Sequence, residues 1–161
     1  MEDILVAQSN LACAYHSLGR VEQALRVRRD TNAGWIRLYG EADRLTLQDT
    51  NGLANLLTTL KHFEEATSLL RRTIPVARRV LGEDSEHTLR MRWYYARALF
   101  PDRGAAFDEL REAVTTLEDT ARRTRRVFGG AHPLTSSIEE DLKRARVIVV
   151  LHVATPSGSA V

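Results

Sequence analysis

The chain has 161 residues, enough for one domain with a core of its own. Apolar residues make up 43% and charged residues 27%, and 23 basic against 21 acidic side chains leave a net charge of +2; so near a balance gives no general affinity for nucleic acid or membrane surfaces. The lone cysteine, Cys13, excludes an intrachain disulfide, and the longest apolar run, 147–154, is interrupted by His152 and too short to span a bilayer.

The opening residues, Met1-Glu2-Asp3-Ile4-Leu5, are acidic and lack the basic start of a signal peptide, so a cytoplasmic, reducing setting is expected. Leu11, Ala14, Tyr15 and Leu18 fall at i, i+3, i+4 and i+7, which predicts a first helix over 4–18. Cys13, between Ala12 and Ala14, is expected to be a small apolar filler. Gly19-Arg20 breaks the helix, and Val21 restarts it through Trp35.

The same plan then recurs. Leu11-Ala12 returns as Leu53-Ala54, Gln23-Ala24 as Glu65-Ala66 and Thr46-Leu47 as Thr88-Leu89, each at a step of 42 residues. Leu53, Leu56, Leu57 and Leu60 mark the second unit's first helix, Lys61-His62 its turn, and 63–81 its second helix. Pro75 removes a hydrogen bond to the Arg71 carbonyl inside that helix and is expected to bend it on the outer side. Ala54 leads to Ala96 at 42, whereas Ala66 leads to Ala113 and Thr88 to Thr135 at 47. One five-residue insertion, 101–105, accounts for every later offset and reads as an enlarged turn. Thr135 begins half of a fourth unit, a closing helix over 135–152 capped by Thr135, Ser136 or Ser137. Its 147–151 end is apolar on all sides, and 153–161 reads as a disordered tail.

The units are therefore about 4–46, 47–88 and 89–134, in one all-α domain over 3–152. A lone helix pair cannot bury its apolar face, so successive pairs must stack. Ala12 with Ala24, Ala54 with Ala66 and Ala96 with Ala113 are predicted contact points, because a methyl group lets two helix backbones approach closely.

Asn10-Leu11-Ala12-Cys13-Ala14-Tyr15, Gly19-Arg20-Val21-Glu22-Gln23-Ala24 and Leu81-Gly82-Glu83-Asp84 before His87-Thr88-Leu89 resemble tetratricopeptide repeats. The long period is similar to the kinesin-light-chain type, and Phe128-Gly129-Gly130-Ala131-His132-Pro133 keeps the His-Pro of that type's linking loop. The resemblance covers roughly 4–143 and implies an α-solenoid with a right-handed superhelical twist, whose first helices line a concave groove. Carried over by position, the groove comprises Ser9, Cys13 and His16, then Gln48, Asn51, Asn55 and Thr59, then Arg90, Trp93 and Arg97. Asn51 with Asn55, and Arg90 with Trp93 and Arg97, also share helix faces by spacing alone.

Side-chain amides can bond an extended peptide backbone, the arginines can take carboxylates, and Trp93 can anchor an apolar residue. The competing reading puts Trp93 in the core and pairs the arginines with neighbouring acids. No metal-ligand spacing, phosphate loop or nucleophile signature occurs, so neither an enzyme nor a cofactor is expected. The expected function is a protein-interaction scaffold that holds a protein or an acidic peptide and takes no small-molecule substrate. The alternatives are a fragment of a larger signalling or motor-adaptor protein, or an RNA-binding solenoid. The latter would use Arg71-Arg72, Arg78-Arg79, Arg122-Arg123 and Arg125-Arg126, but no aromatic residues interleave with these for base stacking. Uncapped ends would allow homo-oligomers.

Overall fold

In a computed structural model, residues 1–100 and 105–154 are described. They form seven helices and no strand: α1 (Glu2–Ser17), α2 (Val21–Tyr39), α3 (Arg44–Thr59), α4 (Phe63–Val80), α5 (Glu86–Leu99), α6 (Phe107–Phe128) and α7 (Pro133–Ala154). Each helix packs on the next in the chain. In addition α3 touches α5 and α5 touches α7, so the first helices of successive pairs lie in adjacent layers.

The alanine columns hold the layers together. Ala12, Ala24, Ala54, Ala66, Ala96 and Ala113 all have no exposed surface. Larger residues such as Leu57, Leu70, Leu110 and Leu117 share one packed core with all of them but Ala12. Lys143, which stands where the next alanine of this column would fall, is exposed on α7. The turns repeat as faithfully as the core. Gly40, Gly82 and Gly129 follow α2, α4 and α6 with φ of 84°, 96° and 87°, the left-handed region that glycine enters without a Cβ clash.

Several sequence expectations are corrected. The apolar stripe that marks α1 as a helix does not face the core: Leu11, Ala14 and Leu18 are exposed and Tyr15 is half-buried, because the face that meets α2 is the one carrying Leu5 and Ala12. Cys13 is exposed rather than filling the core. The second helix of the first unit runs four residues beyond Trp35, to Tyr39. The closing helix begins at Pro133 instead of Thr135, since proline lacks only the N–H that a first helical residue leaves unpaired. His132 Nδ1 accepts from the Leu134 N–H there, in place of a Thr or Ser cap. Pro75 is exposed, in keeping with its expected place on the outer side, inside a helix that runs from Phe63 to Val80. At the end of α7, Val147, Val150 and Leu151 are exposed while Ile148 and Val149 are half-buried. α7 runs on to Ala154 and so takes in Val153 and Ala154 of the expected tail; residues 101–104 of the expected turn and 155–161 of that tail lie outside the described residues.

Ala66→Leu is expected to lower stability by about 1 to 3 kcal/mol, as overpacking a filled contact does. Urea unfolding checks this against Ala33→Leu at an exposed position of α2, where little change is expected.

Candidate functional site

Polar bridges run along the face formed by α1, α3, α5 and α7. Ser9 Oγ donates to Asp49 Oδ1 at 2.9 Å, joining α1 to α3. Asn51 Nδ2 lies 3.5 Å from His87 Nδ1, joining α3 to α5. Trp93 Nε1 donates to Asp141 Oδ2 at 2.8 Å, joining α5 to α7. Ser9, Asn51 and Trp93 are 42 residues apart, so one position in the repeat fastens every layer to the next. Burial lowers the His87 ring from its ordinary value, against an opposing pull from Glu86.

The first junction is a buried charged cluster. Arg28 Nη1 donates to Asp49 Oδ1 at 2.6 Å, with both side chains almost wholly enclosed. Asn32 Nδ2 reaches Asp49 Oδ2 at 3.2 Å. Arg28 Nη2 reaches the Ser9 carbonyl at 3.3 Å and Cys13 Sγ at 3.1 Å. Gly52 makes room for this guanidinium: a Cβ there would stand 3.1 Å from Arg28 Cζ. In the next layers the same two positions are Leu70 with Met91 and Leu117 with Ile138, all fully buried.

The groove residues read from sequence thus fall into distinct settings. Ser9 and Cys13 join the Asp49 cluster, and Asn51 is buried against His87. His16, Gln48 and Thr59 are exposed, and Asn55 is half-buried. Gln48 borders an open recess of about 230 Å³ with Val6, Asn10 and Trp35. Arg90 is held on its own helix by Glu86, with Nε and Nη2 at 2.9 and 2.7 Å. Trp93 is half-buried, and the Arg97 guanidinium sits 5.3 Å from its ring centroid and 3.5 Å from Asp141. Arg97 also borders a recess of about 140 Å³ with Thr58, Thr59, Lys61, Phe100 and Arg144. Arg97 and Arg144 both pair with Asp141 and the Thr58 hydroxyl donates to the Ala54 carbonyl, so three cationic side chains around one carboxylate leave the hollow an excess of positive charge, which suits an anionic group.

Sequence reasoning missed Arg28, Asp49, His87, Asp141 and Arg144. A signal for the first two was available: at the 42- and 47-residue steps they are the charged members of otherwise apolar columns. Asp141 had no such signal, since its column holds Asn10, Gly52 and Tyr94.

The arginine-rich second helices are extensively paired. Arg78 meets Glu83, Arg123 and Arg126 meet Asp84, Arg125 meets Glu139, and Arg71 bonds the Tyr95 hydroxyl. Burial pushes the Asp119 carboxyl up, but hydrogen bonds from Arg123, Arg122 and Arg92 outweigh it and hold that carboxyl well below its usual range. No helix among the described residues is long and apolar enough to cross a membrane.

A family model described as tetratricopeptide repeat matches residues 4–44 and 50–87. Two crystal structures of nearly identical TPR-like repeats from Podosopora anserina, attributed to a kinesin light chain, share the fold. One is a single-substitution variant, with a TM-score of 0.70, and the other superimposes with 0.67. Each is 22% identical over 89% of this chain, and this chain spans 65% of the length of each. No curated protein matches the sequence.

The repeat itself supplies a test of the buried cluster. Asp49→Ala leaves Arg28 enclosed without its counter-charge and is expected to cost about 3 to 5 kcal/mol. Arg28→Leu/Asp49→Met copies the pair found one layer on and is expected to recover most of that loss. Chemical denaturation of the three proteins measures both effects; a double variant weaker than Asp49→Ala would show that this junction cannot use the next layer's packing.

Proposed function

We propose that this chain, a member of the tetratricopeptide-repeat family, is a protein-interaction scaffold that takes an extended acidic peptide of a partner along the face of α1, α3, α5 and α7. The observation that carries this reading is the recess beside Arg97. Its cationic rim of Lys61, Arg97 and Arg144 opens between the ends of α3 and α5 and the middle of α7. A peptide carboxylate entering there exchanges water for charge-assisted hydrogen bonds, and Thr58 and Thr59 border the same hollow. Trp93 supports Arg97 from below through its ring, while its own N–H is satisfied by Asp141.

The rest of the peptide would follow the exposed and half-buried positions of the same face. Thr59 and Asn55 lead from the recess along α3 to Gln48, and Ser9, Cys13 and His16 extend the path over α1. Asn51 supports this path from beneath, since its amide is buried against His87. Arg90 contributes a paired charge beside Glu86 rather than an open cation.

Binding to an array of extended Asp- and Glu-bearing peptides tests the proposal. Arg97→Ala is expected to weaken retention of acidic peptides about tenfold or more, the loss of one charge-assisted hydrogen bond of about 1.5 to 3 kcal/mol. Arg126→Ala, on the second-helix side, is expected to change nothing. Equal retention by wild-type and Arg97→Ala protein contradicts the recess as the anchoring point.

A further inference from the structure

The first helix exposes a face that every later layer buries. Ile4, Ala7, Leu11, Ala14 and Leu18 are all exposed, with Ile4 at 62%, Leu11 at 44% and Leu18 at 71%. Their alternating spacings of three and four residues line up one seam along the helix. Ile4 has Thr46, Thr88 and Thr135 as counterparts at the repeat steps, and all three are buried. Ala7 corresponds to Asp49, Met91 and Ile138, likewise buried. Leu11 corresponds to Leu53, Tyr95 and Leu142, and Ala14 to Leu56, Ala98 and Ala145, again all buried. In those layers α2, α4 and α6 pack against the helix that follows them. From Ile4 to Gly19 the sequence has no Asp, Glu, Lys or Arg, although 27% of the chain is charged. Charge depletion of this kind marks the centre of an interface.

We infer that this seam is covered by the same helix of a second copy of the chain, running antiparallel. The order of side-chain sizes selects that occupant and that direction. In an antiparallel pair centred on residue 9 the large residues Ile4 and Leu11 meet small ones: Ile4 faces Ala14 of the second copy and Leu11 faces its Ala7, while Leu18 lies beyond the paired stretch. Each layer then sets a branched side chain against a methyl group, the packing that lets two helix backbones approach closely. A parallel pair would stack Ala7 on Ala7 and Leu11 on Leu11, alternating gaps with crowding. Antiparallel pairing also brings the acidic start, Glu2-Asp3, toward the opposite end, where His16 and Arg20 lie. Gln8 and Asn10 flank the symmetry axis, and a side-chain amide can both donate to and accept from its own copy. The contact is closed and isologous, so it ends at two chains. It lies apart from the Arg97 recess and does not depend on the peptide reading.

Sedimentation velocity on the purified chain tests the inference. At high micromolar concentration the chain is expected at twice its 18.1 kDa mass. Leu11→Glu is expected to give a monomer with an unchanged helical circular dichroism spectrum, because Leu11 packs on the surface. Val150→Glu, on the exposed end of α7, is expected to leave the dimer intact. Asn10→Cys in a Cys13→Ser background is expected to cross-link two chains by a disulfide on mild oxidation. A wild-type chain that remains monomeric at those concentrations overturns the inference. So does a dimer that survives Leu11→Glu or is lost in Val150→Glu.

Discussion

Close approach of helix backbones at a methyl group is the constraint on which this molecule depends. At Ala12, Ala24, Ala54, Ala66, Ala96 and Ala113 no surface is left for a larger side chain. Each of these points fixes how near two helices lie, and so which leucines and tyrosines interdigitate around them. A 42-residue step keeps the contacts in register through the second and third layers, and a longer step after Leu99 leaves the register intact. The face shared by α1, α3, α5 and α7 is a consequence of that register, since it brings positions 9, 51 and 93 to the same edge of successive layers.

Each layer solves the junction to the next with different chemistry. The second and third junctions bury Leu70 with Met91 and Leu117 with Ile138. The first buries Arg28 with Asp49 and adds Ser9, Asn32 and Cys13 around them. Burying a charged pair rarely adds stability over a hydrophobic pair of similar volume, but its hydrogen-bond directions are far more particular. The polar junction therefore aligns α1, α2 and α3 through several directed bonds at one carboxylate. Asp141 plays a related part at the far end, holding Trp93 and Arg97 where they edge the cationic recess.

Much of this was legible in the sequence for a physical reason. Stacked repeats place equivalent residues in equivalent surroundings, so the alanine columns, the turn glycines and the helix pairs announce themselves by spacing. Ser9, Asn51 and Trp93 were placed on one edge by the resemblance to tetratricopeptide repeats, and their 42-residue spacing agrees with it. Side-chain partners were not legible, because they depend on residues that break the repeat: Asp49 in an apolar column, and Asp141 in a column with Asn10, Gly52 and Tyr94. The apolar stripe of α1 misled for another reason. Leu11, Ala14 and Leu18 carry the core pattern of a repeat helix, and the sequence of one helix cannot say which of its two apolar faces has a neighbour. The start of α7 was misplaced because the capping signal of Thr135 and Ser136 is stronger than that of His132, whose ring takes the role.

The central claim is that each first helix is held by the pair before it as well as by its own partner. Amide hydrogen exchange, followed helix by helix in dilute protein, measures this most directly. Slow exchange through α3 and α5, which are covered from both sides, with faster exchange along α1, is the predicted result. Amides of α3 exchanging as readily as those of α1 would contradict it.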